Sequence, residues 1–247
     1  MVILIHPQLL LSLSLNIPIF GHSIKDRYPS MKIVHLGEGN SIINQYVAEL
    51  RNVDVQTDSM RFRRNIERIG EIMAYEISKK FAYSTKEIQT PLGISPMNLP
   101  DNRVVISTIL RAGLPFHQGF LNYLDKAENA FVSAYRKYKD RLNFDIHIEY
   151  IASPSLEGKT LIITDPMLAT GSSMELAYRA LLTKGNPGEI HIASIIASQP
   201  ALDYLQKQMP DNITLWIAAL DEGLNDHSYI VPGLGDAGDL AFGEKED

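Results

Sequence analysis

A chain of 247 residues, 45% of them hydrophobic, is long enough to bury the core of one large α/β domain. Its formal net charge of −6 argues against a nucleic-acid surface as its main business. The absence of cysteine excludes disulfide and thiolate chemistry, removes any need for an oxidising compartment and fits the cytoplasm.

Residues 2–20 are mostly apolar, with Leu9, Leu10, Leu11, Leu13 and Leu15 clustered. No basic flank precedes this run, Pro7, Asn16 and Pro18 interrupt it, and it is short for a membrane span. We expect residues 1–30 to be a disordered or non-native extension ahead of Met31, the rival reading being a weak anchor, and residues 31–247 to form a single domain. Helical patterns follow at 44–51 and at 59–80, the second with Ile66, Ile69, Ile72, Met73 and Ile77 on one face. Its basic start (Arg61, Arg63, Arg64 and Arg68) reads as a solvated face. A strand-like piece at 87–90 leads into a proline-punctuated loop. The apolar runs 104–110 and 131–135 read as buried strands that end in Arg111 and Arg136, with a helix over 114–125 between them. An arginine at the carboxyl end of a parallel strand faces the crevice where α/β sheets bind ligands, although a solvated strand-end charge is the commoner role for one taken singly. The charged stretch 137–145 followed by alternation at 147–151 predicts a protruding hairpin, serving either as a lid or as a subunit contact.

The run Leu161-Ile162-Ile163-Thr164 is a third buried strand, broken by Asp165-Pro166. Met167, Leu168, Ala169, Thr170, Gly171, Ser172 and Ser173 then lead into a helix over 173–184. A loop of small and hydroxylated residues feeding a helix N-terminus is a candidate phosphate site, because unpaired N–H groups and the helix dipole both favour an anion. An ordinary connection with Ser173 as N-cap is the alternative. Strand 190–197, helix 200–209 and strand 214–219 complete an alternation that implies a parallel sheet with right-handed crossovers.

The segment 229–239, Tyr-Ile-Val-Pro-Gly-Leu-Gly-Asp-Ala-Gly-Asp, is too rich in glycine for helix or regular strand. It would turn tightly and present bare backbone N–H and C=O groups, which suit a planar ligand edge carrying alternating acceptors and donors. Gly233 to Gly238 also spell Gly-x-Gly-x-x-Gly, but the chain ends too soon for the helix and second strand of a dinucleotide site. The histidines are scattered without metal-ligand spacing.

The string Asp165-Pro166-Met167-Leu168-Ala169-Thr170-Gly171 resembles the phosphoribosyl pyrophosphate (PRPP) loop of uracil phosphoribosyltransferases, and the segment 229–239 is similar to the uracil loop of the same family. Ile109-Leu110-Arg111-Ala112-Gly113 looks like the family's pyrophosphate loop. The resemblance implies a type I phosphoribosyltransferase fold, a mainly parallel twisted sheet flanked by helices with a C-terminal base-binding hood. It implies transfer of phosphoribose from PRPP to uracil. PRPP would contact Arg111, Arg136, Asp165, Pro166, Met167, Leu168, Ala169, Thr170, Gly171, Ser172, Ser173 and Asp236. Uracil would contact Ile230, Gly235, Asp236 and Ala237, with Asp236 and Arg136 as the catalytic pair. Mg2+ would arrive on PRPP rather than in a protein-built site. The expected partners are PRPP, uracil and further copies of the chain, not nucleic acid or membrane. Two departures stand out, since Ser172 occupies a position where the family often has glycine and Leu240 one where arginine is frequent. A phosphoribosyltransferase for another base and a PRPP-sensing RNA-binding regulator are the competing functions.

Overall fold

The structure, a computed structural model, describes residues 31–138 and 144–246, with the backbone alone described for 134–138 and 144–149. Residues 1–30, and with them the expectation of an extension, lie outside the described residues.

The apolar runs form the middle of one sheet. Its strands are β1 (Lys32–His35), β4 (Val104–Leu110), β5 (Glu128–Tyr138), β6 (Phe144–Ala152), β7 (Thr160–Thr164), β8 (Met167–Leu168), β9 (Glu189–Ser198) and β10 (Ile213–Asp221). The intervening β2 (Tyr83–Thr90) and β3 (Gly93–Pro100) pair only with each other. The sheet order is β1-β10-β9-β7-β4-β5-β6, with β8 beside β9, and all pairings are parallel except β5 with β6. The central strands β4 and β7 are buried on both faces, as parallel strands covered by helices must be.

Among the described residues six α-helices flank the sheet: α1 (Ile42–Arg51), α2 (Ser59–Ser78), α3 (Gly113–Leu121), α4 (Ser172–Leu182), α5 (Gln199–Gln208) and the short α6 (Ala237–Phe242). Strand residues alternate between two cores. Val105, Ile109, Leu161, Ile163 and Leu215 pack with Met174, Leu181 and Leu205 of α4 and α5. Val104, Ile106, Ile162 and Trp216 pack with Ile43, Phe62, Ile66 and Phe116 of α1–α3. The second core also takes in Ile230, Leu234, Ala237 and Ala241 from the C-terminal loop, so the hood is part of the body of the domain.

Four expectations need correction. The piece at 87–90 is the second half of β2, which forms with β3 an eight-by-eight-residue antiparallel hairpin that turns at Pro91-Leu92, where the Thr90 hydroxyl accepts from the Gly93 N–H at 3.1 Å. Proline is tolerated in it because the ribbon has open edges. The helix expected over 114–125 stops at Leu121. Strand β5 does not end at Arg136: it pairs with β4 as far as Ser133, shifts register, and runs on to Tyr138 opposite Phe144. Arg136 therefore sits within the predicted hairpin rather than at a strand end. Finally, the glycine-rich tail does contain regular structure, the strand pair β11 (Gly223–Leu224) with β12 (Ile230–Val231) and the helix α6. The Asp236 carboxylate makes α6 possible by accepting from the N–H groups of Gly238 and Asp239 at 2.8 and 3.0 Å.

Helices α2 and α3 approach closely through glycine. A Cβ on Gly119 would overlap the Glu67 carbonyl oxygen and crowd the Glu71 nitrogen, both backbone atoms that cannot turn aside. Gly119→Ala should lower unfolding free energy by about 1–3 kcal/mol, the usual cost of overpacking, measured by urea denaturation.

Candidate active site

The chain leaves β4 toward β5 on one side of the sheet, while β7, beside β4 on the other side, leads toward β9. A crevice opens at the carboxyl ends of strands where the direction of winding reverses. Cross-strand bonds hold the two ends level: the Thr164 hydroxyl donates to the Ser107 carbonyl at 3.0 Å and the Thr108 hydroxyl to the Thr164 carbonyl at 3.3 Å. The loops that carry Arg111 and Asp165 start from this junction.

The phosphate loop is fastened along its length. The Asp165 N–H bonds the Ala193 carbonyl, the Pro166 carbonyl accepts from Ile195 and Ile196, and Met167–Leu168, expected as part of a turn, is the short strand β8 beside Ile196 and Ala197. The Ser198 hydroxyl donates to the Ala169 carbonyl at 2.5 Å and accepts from the Ala201 N–H at 3.1 Å, tying the loop to the start of α5. Helix α4 starts at Ser172, capped by Gly171 at φ 81° with no side-chain bond, rather than by Ser173. Gly171 also lies against α5, where an added Cβ would stand 3.2 Å from the Ala201 oxygen. The Thr170 and Ser172 hydroxyls bond each other at 2.6 Å. The Ser172 N–H makes a long bond to the Thr170 hydroxyl at 3.4 Å, and with no side-chain cap from Gly171 the N–H groups that follow it in the first turn are kept for an outside acceptor.

Asp165 opens onto the crevice but is walled by protein elsewhere. Burial pushes its carboxyl up to about 7, offset only slightly by the Met167 N–H, which donates to Oδ1 at 3.3 Å.

The walls close into a cleft of about 160 Å³ lined by Asp165, Met167 and Ala169 of the phosphate loop, Ile230, Gly235, Asp236, Ala237 and Gly238 of the glycine-rich loop, and Ala112, Ser228 and Tyr229. The two distant motifs thus share one cavity. Thr170, Gly171, Ser172 and Ser173 lie beyond its lining, in the turn that opens α4, and Pro166 and Leu168 are buried behind it. Ala112, Ser228, Tyr229 and Gly238 were not singled out as contacts from sequence. Ala112 and Gly238 adjoin residues that were, whereas Ser228, at φ 61°, carried no signal of its own. Leu240, which the resemblance marked as a departure, packs partly buried against the second core.

Arg111 follows a cis peptide from Leu110 and turns toward the hood. Its Nη2 pairs with Asp239 at 2.9 Å and donates to the Gly243 carbonyl at 3.2 Å. A Cβ on Gly238, in the cleft wall, would stand 3.6 Å from the same nitrogen, so Arg111 flanks the cleft without lining it. The Arg136 side chain lies outside the described residues. Among the described residues no three His, Cys, Asp or Glu side chains are grouped as a metal cage needs.

With the phosphate loop and the glycine-rich loop as walls of one cleft at the winding reversal of a parallel sheet, fold and site define a phosphoribosyltransferase. The family model described as uracil phosphoribosyltransferase matches residues 39–244. A uracil phosphoribosyltransferase of Porphyromonas gingivalis is 68% identical over 215 residues, covering 87% of this chain and 100% of that one. The enzyme of that name from Methanothermobacter thermautotrophicus is 39% identical over 210 residues, covering 84% and 94%. A solved structure of a protein from Aquifex aeolicus superposes with a TM-score of 0.77 at 31% identity, covering 85% of this chain and 98% of that one. The chain belongs to the uracil phosphoribosyltransferase family.

The raised pKa of Asp165 has a stability signature. From about pH 4, where the unfolded carboxyl ionises, to about pH 7, the folded state holds a proton that the unfolded state has lost. This group's contribution is therefore complete below about pH 4 and is lost as pH rises through 7. Asp165→Asn should gain in Tm relative to the parent on going from pH 4.5 to pH 8, as read by calorimetry of the ligand-free protein.

Proposed function

We propose a division of the family's reaction among the residues that meet in the cleft. The chain transfers the phosphoribosyl group of PRPP to uracil: N1 of the base attacks the anomeric carbon, loses its proton, and displaces pyrophosphate to leave uridine monophosphate. One observation carries the assignment of roles: Asp165, Met167 and Ala169 share a cavity with Ile230, Gly235, Asp236 and Ala237.

The 5′-phosphate would dock on the start of α4, with Thr170, Ser172 and Ser173 supplying hydroxyls beside the main-chain N–H groups and Gly171 allowing close approach. Asp165, once ionised, would accept from the ribose hydroxyls. Pro166, Met167, Leu168 and Ala169 hold that geometry. The main chain at Gly235 and Ala237 would read the uracil edge, with Ile230 against the ring. Asp236, between the base and sugar regions, would face the reacting centre. Arg111 would leave Asp239 to grip pyrophosphate oxygens with its planar fork, and Arg136 would join it from the β5–β6 hairpin acting as a lid. Such a site works by positioning and charge rather than by a covalent intermediate.

Mg2+ suits this cleft as an ion carried by the diphosphate, because Asp165 and Asp236 are the two carboxylates in the lining and a third ligand of that kind is missing from it. When bound it would neutralise charge on the leaving group. A cytoplasmic location follows from the substrate, a phosphorylated sugar that does not cross membranes; among the described residues no helix is long and apolar enough to span one. Residues 31–247 would act as one catalytic domain.

Self-association would proceed through the β2–β3 hairpin. Two strands alone are marginally stable in water, yet this ribbon exposes Ile88, Leu92, Ile94, Met97 and Leu99, Leu92 completely. A second copy of the chain is the occupant that a homo-oligomer supplies.

Incubating the protein with PRPP, magnesium and labelled uracil should yield labelled uridine monophosphate. Arg111→Ala should raise KM for PRPP, or for pyrophosphate in the reverse direction, by about tenfold or more while KM for uracil stays within about twofold. Unchanged PRPP and pyrophosphate kinetics would remove the arginine from the site. Replacing Ile94 and Met97 together by Asp should shift the sedimentation coefficient to that of a monomer.

A further inference from the structure

The hood is fastened to the body of the protein at a glycine outside the cleft lining. Gly233 precedes Gly235 by two residues and Asp236 by three, and both of its main-chain polar groups are held by one ion pair. Its N–H donates to Asp221 Oδ2 at 2.9 Å, and its carbonyl accepts from Arg51 Nη1 at 2.9 Å. The pair itself is bidentate, Nη1 to Oδ2 at 2.8 Å and Nη2 to Oδ1 at 2.7 Å. Arg51 closes α1 and Asp221 closes β10, so the clamp joins a helix end, a strand end and the hood. The Asp221 side chain is 5% exposed. Gly233 sits at φ 54°, and a Cβ there would overlap the Ile230 carbonyl oxygen, so the backbone has one way to pass.

An ion pair with Asp221 buried and Arg51 23% exposed adds little net stability compared with apolar side chains of the same volume, because much of the hydration of the two charges is lost. What this pair does supply is direction. It sets the height and tilt of the peptide that leads into the base-reading residues, and main-chain recognition of a flat ring fails when its atoms move by about an ångström. We propose that Arg51 and Asp221 are positioning residues for uracil recognition, fixing the main chain of residues 235–237 through Gly233 while touching neither substrate. The inference rests on the base lying against Gly235 and Ala237, as proposed above. A lysine at position 51 keeps the charge but cannot hold the carboxylate and the carbonyl in one planar fork.

The test is steady-state kinetics of Arg51→Met, Arg51→Lys and Asp221→Asn, each assayed well below its own Tm, with Ala237→Val alongside. Arg51→Met is expected to raise KM for uracil about tenfold with KM for PRPP within about twofold, and kcat falls as well because Asp236 shifts with the main chain on either side of it. Arg51→Lys and Asp221→Asn should show the same selectivity with a smaller shift, which serves if Arg51→Met does not fold. A general loss of structure would move both KM values and kcat together, and that result overturns the proposal. If Ala237→Val raises KM for uracil and the Arg51 and Asp221 variants do not, the clamp has no positioning role although the base site stands. If Ala237→Val also leaves uracil kinetics unchanged, the base placement itself falls, and the clamp proposal with it.

Discussion

The pairing of β4 with β7 is the constraint on which the rest of the site depends. Paired residues of these strands are 56 positions apart in the chain, yet Thr108 and Thr164 lock their carboxyl ends side by side. Every functional loop is then a short extension from that fixed edge. Ala112 follows one strand and Asp165 the other, and both reach the cleft without a long excursion. The stiffness has a physical origin: both strands are buried on both faces, and a close-packed interior transmits displacement instead of absorbing it.

The two sides of the cleft are held differently. The side proposed for the sugar phosphate is zipped to β9 and α5 by main-chain bonds and by the doubly used Ser198 hydroxyl. The side proposed for the base has little regular structure of its own and is fixed at discrete points. Gly233 is held by Arg51 and Asp221, the Ala241 carbonyl accepts from Arg63 at 2.6 Å, and Asp239 pairs with Arg111. The apolar residues Ile230, Leu234, Ala237 and Ala241 then bury the loop in the core shared with α1–α3. Of these fastenings, the one at Arg111 is also proposed to serve the pyrophosphate, so filling one half of the site loosens a tie of the other.

What could be read from the residues followed their range of interaction. The buried strands announced themselves as β-branched runs, and α2 as a stripe of isoleucines, because those patterns are local. The phosphate and base motifs were legible because each is contiguous. The β2–β3 ribbon was half hidden because Pro91, Pro96 and Pro100 read as loop, and an open-edged ribbon tolerates proline where a sheet interior does not. Helix α6 was hidden because its glycines argue against helix, while the Asp236 cap and the burial of Ala237 and Ala241 argue for it only once the chain is folded. Arg51 with Asp221 and Arg111 with Asp239 are separated by 170 and 128 positions, and nothing in either neighbourhood names its partner.

A carboxyl poised near neutrality does more than accept a hydrogen bond. With burial raising the Asp165 carboxyl to about 7, a ligand that needs the ionised form drives a proton into solution from whatever fraction still holds one. Titration heats for PRPP would then include the ionisation enthalpy of whichever buffer takes up that proton, so phosphate and Tris would report different apparent enthalpies for one and the same complex.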